Sequence, residues 1–401
     1  MKTNKNYLID FGNSEIAFRD KSNFALHRAH LLFKVMNSAT CVNIGKFMVN
    51  LAFSIRFPVK AILRDTIYKQ FVGGMSIEDC AETIEQLARR NVGSILDFAV
   101  EGESSEALFD VTCDEIVKTI DYAHLHKSVP FSVFKITGIG RFDLLAKISN
   151  NEQLTSQEKD EFERVRQRAR KILEAGYKKG VPVLVDAEET WIQPVLDDLV
   201  LEMMGFYNKE KAIVQNTYQM YCVDSTERLK KHHQMALDKG FRLGLKIVRG
   251  AYMEKERERA KEMGYPSPIH PDKASTDAAF DDIIHYLVNH ADTIDFMVAT
   301  HNQQSLQLLA SLMNECNLPT NLSNVFCAQL YGMSDNLTFN LADNGYNTVK
   351  YVPYGEVKTM MPYLFRRAEE NTAMKGQSSR ELELIRGEIR RRKTKGRAMN
   401  S

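Results

Sequence analysis

The chain has 401 residues, 44% hydrophobic and 26% charged, which suffices for one large domain or two ordinary ones and excludes a mostly disordered protein. Its 53 Lys and Arg balance 52 Asp and Glu, so no whole-molecule field draws nucleic acid to it and no nucleic-acid partner is expected. No uninterrupted apolar run reaches the roughly 20 residues that span a bilayer. The six cysteines form no C-x-x-C pair, and reduced thiols in a cytoplasmic setting are expected.

The N-terminus, MKTNKNYLIDFGNSEIAF, carries Asp10 and Glu15 and lacks a charged-then-apolar pattern, so no signal or transit peptide is evident. Residues 1–93 read as a helical region. The most apolar stretch, 31–63, is interrupted by Lys34, Lys46, Arg56 and Lys60 and reads as amphipathic helix. Ser76 is a candidate N-cap with Asp79 three residues on; Ile77, Ile84, Leu87 and Ala88 follow at mainly helical spacing, with Gly93 expected just past the end. From 94 onward, short β-rich runs (94–100, 132–137, 181–187, 212–218, 243–250, 294–300, 324–330 and 347–353) alternate with helix-forming segments such as 156–178, 225–240, 273–290 and 303–314. Eight β-α units predict an α/β fold, a closed (β/α)8 TIM-type barrel over 94–378, followed by a basic tail over 379–401. A doubly wound sheet is disfavoured, because no G-x-G-x-x-G follows the first strand and no G-x-x-x-x-G-K-[ST] occurs.

In such barrels ligands sit at the C-terminal ends of the strands. The polar residues late in each run are Glu101, Lys135, Asp186, Asn216, Lys246 with Arg249, His301, Gln329 and Tyr351. Each alone is as well explained by a structural ion pair or a capped loop, but such groups at all eight strand ends point to a polar ligand site. In 357–370 the apolar stripe Val357, Met360, Met361, Leu364 and Ala368 is expected to face the barrel. Tyr363, Arg366, Arg367 and Glu370 fall on another face, either as a solvated Arg–Glu surface or as guanidiniums enclosing a carboxylate. His124 with His126, in a strand-like or loop segment, and His232 with His233 lack metal-ligand spacing and read as surface histidines, so no metal is expected. With no G-x-S-x-G elbow either, charged clamps without a nucleophile suggest that a cofactor carries the chemistry.

Six ordered blocks then carry a resemblance: DAEETWIQP (186–194), NTYQMY (216–221), KIVRGAYMEKERERA (246–260), THNQQS (300–305), QLYGM (329–333) and KYVPYGEVKTMMPYLFRRAEEN (350–371). Together they resemble the monofunctional proline dehydrogenases over about 94–376. The resemblance implies a distorted (β/α)8 barrel that binds FAD and oxidises L-proline to Δ1-pyrroline-5-carboxylate, passing electrons to a membrane quinone. It places Arg366 and Arg367 on the substrate carboxylate with Lys135 assisting, and Tyr252, Leu330 and Tyr351 around the pyrrolidine ring. Asp186 and Lys246 are the implied catalytic pair. Ala187, Asn216, Lys246, Arg249, Gly250, Ala251, Thr276, Thr300, His301, Arg367 and Glu370 are the implied FAD contacts, and Glu101 would pair with Arg366 as a gate. Relative to many bacterial members, Asn216 stands where Gln is usual, and Lys246 and Arg249 exchange a cation pair.

Within that resemblance, hydroxyproline oxidation is the main alternative; Tyr351 would crowd a ring hydroxyl, where hydroxyproline enzymes have a smaller residue. A non-catalytic binding barrel, and a pyridoxal phosphate barrel using Lys135 or Lys246, are weaker alternatives. The 401 residues include no aldehyde dehydrogenase segment, so a separate enzyme for the hydrolysed glutamate semialdehyde is implied. The amphipathic 31–64 segment and the basic 386–397 segment read first as core-packing helices and a solvated tail. The alternative for both is peripheral contact with an anionic membrane.

Overall fold

Strand parity decides which side chains meet, because residues two apart share a face. The computed structural model describes residues 8–55, 59–98, 105–373 and 375–398. Its strands are β1 (Val92–Phe98), β2 (Phe131–Phe134), β3 (Val183–Val185), β4 (Val214–Gln219), β5 (Leu243–Val248), β6 (Ile294–Ala299), β7 (Val325–Leu330) and β8 (Thr348–Tyr354). All pair in parallel in chain order, and β8 returns to β1, closing the barrel. Each strand lies within three residues of its expected span.

Among the helices before the barrel are α1 (Ser14–Phe18), α2 (Asn23–Met36), α3 (Ala39–Ser54) and α4 (Ala81–Ala88). The outer ring is α5 (Glu106–Leu125), α6 (Ser156–Lys179), α7 (Gln193–Tyr207), α8 (Ser225–Lys239), α9 (Lys273–Asn289), α10 (Gln303–Glu315), α11 (Asp335–Asp343) and α12 (Met361–Ala373), with α13 (Lys375–Ala398) closing the chain. Local chemistry sets several ends. Thr155 and Glu158 form a reciprocal capping box at α6, and Gly180, at φ +67°, ends that helix in the left-handed region.

Outward strand residues such as Leu96, Val183, Leu245 and Val298 pack under the helices in the main core. Inward residues Ile95, Phe131, Val133, Leu184, Met297, Ala328 and Val349 form an apolar plug inside the barrel. The edge of one Phe131–Phe326 ring meets the face of the other at a centroid distance of 4.8 Å. Polar inward side chains are therefore gathered at the strands' C-terminal ends.

A second core lies on that side of the molecule. Phe33 and Met36 of α2 meet Val357, Met360, Met361, Leu364 and Ala368 there. The apolar stripe of 357–370 thus faces the N-terminal helices instead of the barrel wall, and Tyr363 is buried with it. The 31–63 stretch is divided between α2, α3 and the short helix Lys60–Leu63. Residues 386–395 are not a solvated tail. Glu388 is fully buried, receiving Arg391 at 2.8 Å and Arg392 at 2.7 Å, and Arg392 also donates to the carbonyls of Phe18 and Lys21.

Two further expectations change. Gly93 lies inside β1, and the turn before it is made by Asn91 at φ +54°. His124 and His126 are at the surface as expected, but in the last turn and C-cap of α5 instead of a strand or loop, while His232 and His233 are buried against Tyr218 and Tyr286 at 2.7 Å each. Among the described residues no cluster of His, Cys, Asp or Glu could hold a metal, and no helix is long and apolar enough to cross a membrane.

Candidate active site

Above the apolar plug the next inward position on successive strands is Asp97 after Ile95, Lys135 after Val133, Asp186 after Leu184 and Tyr351 after Val349. Thr217 and Lys246 face each other in register on β4 and β5. These groups converge on one carboxylate. Asp186 receives Lys135 Nζ on Oδ2 at 2.7 Å, Lys246 Nζ on Oδ1 at 2.5 Å and the Tyr351 hydroxyl on Oδ2 at 2.8 Å. Lys246 Nζ also lies 5.3 Å from the Tyr351 ring centroid, within cation–π range.

The electrostatics follow from the geometry. Burial alone would raise the Asp186 pKa, but Lys135 and Lys246 outweigh it and hold the carboxyl well below the usual range. Burial opposes the Lys135 charge, yet Asp186 and Asp97 keep that ammonium protonated well above its ordinary pKa. The Tyr351 phenol is pushed far up by burial and by the same two carboxylates. Asp186 is thus an anion that organises two cations and a phenol.

The loops around this centre are also tied down. Glu188 receives Thr137 N at 3.0 Å and the Thr137 hydroxyl, clamping the turn after Lys135. Gln219 donates to the Glu188 carbonyl at 2.7 Å and accepts from Ala251 N at 3.2 Å, joining the ends of β3, β4 and β5. Gly250 sits at φ +140°, and a Cβ there would come within 2.5 Å of the Tyr221 ring. Tyr252, half-buried, has the Lys255 ammonium 5.6 Å from its ring centroid.

Arg249 spreads over three partners: Asp277 at 2.7 Å, Thr300 Oγ1 at 2.7 Å and Ser305 Oγ at 3.0 Å. Its target Asp277 follows Thr276 at the start of α9, so both expected contacts share one corner. His301 lies in an adjoining corner, with Nδ1 2.8 Å from Ser334 Oγ and Nε2 accepting from Leu330 N at 3.4 Å. Burial, then the charges of Lys350, Arg367 and Arg249, push its pKa down to about 3, so the imidazole is neutral. Arg367 is buried with its guanidinium 5.0 Å from the Tyr363 ring centroid; Arg366 is half-buried. Ala187 is buried beside Asp186.

Two strand-end residues face away from the centre. Asn216 shares the parity of Leu245, and its amide donates to Asp197 Oδ1 of α7 at 2.8 Å. Its neighbour Thr217 holds the inward position. Gln329 likewise points outward, to the Thr300 carbonyl and the Thr338 hydroxyl. Glu101 and the Glu370 side chain lie outside the described residues. Asp97, Thr217 and Gln219 are the site-lining groups that strand-end reading missed. The parity of the runs 94–100 and 212–218 carried the signal, since Asp97 follows inward Ile95 by two residues and Thr217 sits between outward Asn216 and Tyr218.

The site also suits a polar planar cofactor. Thr217 Oγ1, on the same face as Lys246, is buried without a hydrogen-bond partner among the described residues. The cations Lys246 and Arg249 flank a backbone held side-chain-free at Gly250.

Comparison with known proteins agrees with this geometry. The family model described as Proline dehydrogenase matches residues 80–380. Proline dehydrogenase 1, mitochondrial, of Dictyostelium discoideum is 30% identical over 96% of this chain and 76% of its own length. The carbapenem antibiotics biosynthesis protein CarD of Pectobacterium carotovorum is 33% identical over 80% of this chain and 83% of its own. Among solved structures, proline utilization A (PutA) from Bdellovibrio bacteriovorus, inactivated by N-propargylglycine, superposes with a TM-score of 0.69 at 20% identity. The match covers 93% of this chain and 39% of that one, so it speaks for the shared barrel.

Glu188 supplies a test of the loop architecture. Burial raises its carboxyl from 4.5 to about 7 despite the Thr137 donors. A pKa raised on folding favours the folded chain below the unfolded value of 4.5, and that advantage is lost as pH rises through about 7. Glu188→Gln should therefore raise thermal stability relative to the parent chain at pH 8, by at most about 3 kcal/mol, and not at pH 4.5. Equal differences in Tm at the two pH values would contradict the buried, shifted carboxyl.

Proposed function

The chain belongs to the proline dehydrogenase family, whose reaction oxidises the CH–NH bond of L-proline, and we propose that it forms Δ1-pyrroline-5-carboxylate at the mouth of this barrel with FAD as the bound flavin. The observation that carries the reading is the single buried carboxylate, Asp186, on which two ammoniums and a phenol from three other strands or strand ends converge. When bound, the flavin supplies the two-electron acceptor, and the chain's own residues do the rest.

Arg366 and Arg367 take the substrate carboxylate, for which a guanidinium fork is the matching donor geometry. Lys135 assists, since an ammonium has three donors and Asp186 engages only part of them. Glu101 pairs with Arg366 as the gate. Leu330, Tyr252 and Tyr351 wall the ring. The 2.8 Å bond to Asp186 holds the Tyr351 phenol in place, and that fixed wall favours proline over a hydroxylated ring. Lys246, Arg249, Gly250, Ala251, Thr276, Thr300, His301, Arg367 and Glu370 line the flavin, with Thr217 taking the inward place in β4 that Asn216 does not occupy.

The amine must be neutral when its CH–NH bond is oxidised. Proximity to Lys135 and Arg366 lowers its pKa and favours that form. Asp186, held so far below neutrality, does not accept the amine's proton; it positions Lys135, Lys246 and Tyr351. With a flavin bound, Lys246 and Arg249 would stabilise negative charge on it.

A membrane quinone would take the electrons onward, and the hydrolysed product is a substrate for a glutamate-semialdehyde dehydrogenase. Contact with the membrane fits α3 better than the C-terminal helix. Ile44, Phe47, Met48 and Leu51 of α3 are exposed, as is Ile55 just after it. Between Asp20 and Asp65 the sequence holds seven Lys or Arg and no Asp or Glu. Lys21 and Lys46 are paired with Asp335 and Glu369, but an exposed apolar face in a segment that has basic and no acidic residues of its own is the pattern of a helix lying on an anionic bilayer.

Anaerobic L-proline added to the purified holoenzyme should bleach the flavin's visible band; a band that persists would refute the reaction. Arg366→Lys should raise the KM for proline about tenfold or more with kcat within about threefold, because a point charge cannot reproduce the fork. Unchanged kinetics would remove Arg366 from the substrate site. The protein should co-sediment with anionic vesicles at low salt, and Phe47→Glu should weaken this; no binding at any salt would end the membrane assignment.

A further inference from the structure

The turn between β7 and α11, residues 331–334, is where both ends of the chain meet the site. Lys21, from the segment between α1 and α2, reaches Asp335 Oδ2 at 2.7 Å. Lys350, an outward residue of β8, reaches Asp335 Oδ1 at 3.0 Å and donates to the Met333 carbonyl at 2.5 Å. From the C-terminal helix, Glu381 offers both carboxylate oxygens to Ser334 N, at 3.1 and 3.0 Å. Two cations and two anions, from four separate parts of the chain and all buried except the half-buried Lys21, are thus gathered around four residues of backbone.

That backbone is held in a conformation it would not choose alone. Ser334 lies at φ +52°, ψ +41°, the left-handed region that non-glycine residues rarely adopt. Gly332, at φ +79°, leaves no room for a side chain: a Cβ would lie 1.9 Å from the Gln70 carbonyl oxygen, and Gln70 Nε2 donates to Gly332 O at 2.8 Å. The same Ser334 whose N–H goes to Glu381 turns its Oγ to His301 Nδ1 at 2.8 Å. His301 Nε2 accepts from Leu330 N, so the neutral ring carries its proton on Nδ1 and donates it to Ser334. Leu330 N–H thus sets the tautomer, and the Ser334 hydroxyl, as the partner of Nδ1, helps to set the orientation of the ring.

We propose that Glu381 is a positioning residue: by holding Ser334 N–H it fixes the hydroxyl that orients His301, and so couples docking of the C-terminal helix to flavin binding. This rests on the placement of His301 at the flavin given above. Glu381 touches neither substrate nor cofactor; it acts through Ser334. A merely structural role, anchoring α13 to the barrel, would lower stability without acting through the imidazole.

The test is a double-mutant cycle read as the dissociation constant of FAD from the full-length apoprotein, followed by flavin absorbance and fluorescence. Glu381→Ala should weaken FAD by about tenfold. Glu381→Gln, whose amide oxygen still accepts from Ser334 N–H, should restore most of that loss. In the His301→Ala background, Glu381→Ala should add less than about twofold. An equal factor in both backgrounds, or no effect of Glu381→Ala on FAD, would overturn the proposal alone. Unchanged FAD affinity in His301→Ala itself would overturn it together with the placement of His301. If Glu381→Ala does not fold, Ser334→Ala carries the test, since it keeps the backbone bond to Glu381 and deletes only the hydroxyl on His301. It should weaken FAD by about tenfold, and unchanged affinity would overturn the proposal.

Discussion

Asp186 is one negative charge that makes two buried positive charges tolerable. Lys135 and Lys246 come from the ends of different strands, and each would resist burial without a partner in reach. Removing one member of such a buried constellation typically costs about 3–5 kcal/mol, because the charges left behind are uncompensated. The arrangement is therefore unsuited to serving stability alone. It places two donors, and a phenol aligned by the same carboxylate, at the open end of a barrel whose other end is filled with hydrocarbon.

The filled end is what makes this economical. Ile95, Val133, Leu184 and Val349 occupy the inward positions directly below Asp97, Lys135, Asp186 and Tyr351. One alternation of two residues thus separates the hydrophobic plug from the charged layer along each of four strands, while the closed register is staggered between β8 and β1, where Ile95 pairs with Tyr351. The segments outside the barrel then act on the open end. Helix α12 carries Arg366 and Arg367 while its apolar stripe packs on α2, so the helices before the barrel hold the candidate substrate clamp in place. Glu381 and Lys21 extend the same logic to the turn beside His301.

Much of this was legible in the sequence. The eight β-rich runs, the strand-end residues Lys135, Asp186, Lys246 and Tyr351, and the motif blocks all point to the observed barrel and its mouth. What sequence reading lost, it lost for definable reasons. Asn216 and Gln329 are polar and late in their strands, but being late does not fix parity, and both face outward. The stripe of 357–370 has the right helical spacing, yet spacing does not say what it meets, and its partners are α2, α3 and the C-terminal helix. Residues 386–395 look like a basic surface because the acid that neutralises them, Glu388, is a single residue among many arginines. Long-range charge pairs such as Lys21–Asp335 leave no local signature at all.

The ionisation state of Asp186 is the most direct probe of the central claim. Carbon-13 NMR of protein labelled at aspartate side-chain carboxyls, with Asp186→Asn to assign the resonance, reads it without reference to turnover. An ordinary aspartate is half protonated at 3.8. Held between Lys135 and Lys246, Asp186 should still be ionised at that pH, its resonance not yet moved towards the protonated position. A carboxyl that titrates at the ordinary value or above it would show that burial outweighs the two ammoniums, and that the charged centre described here does not exist.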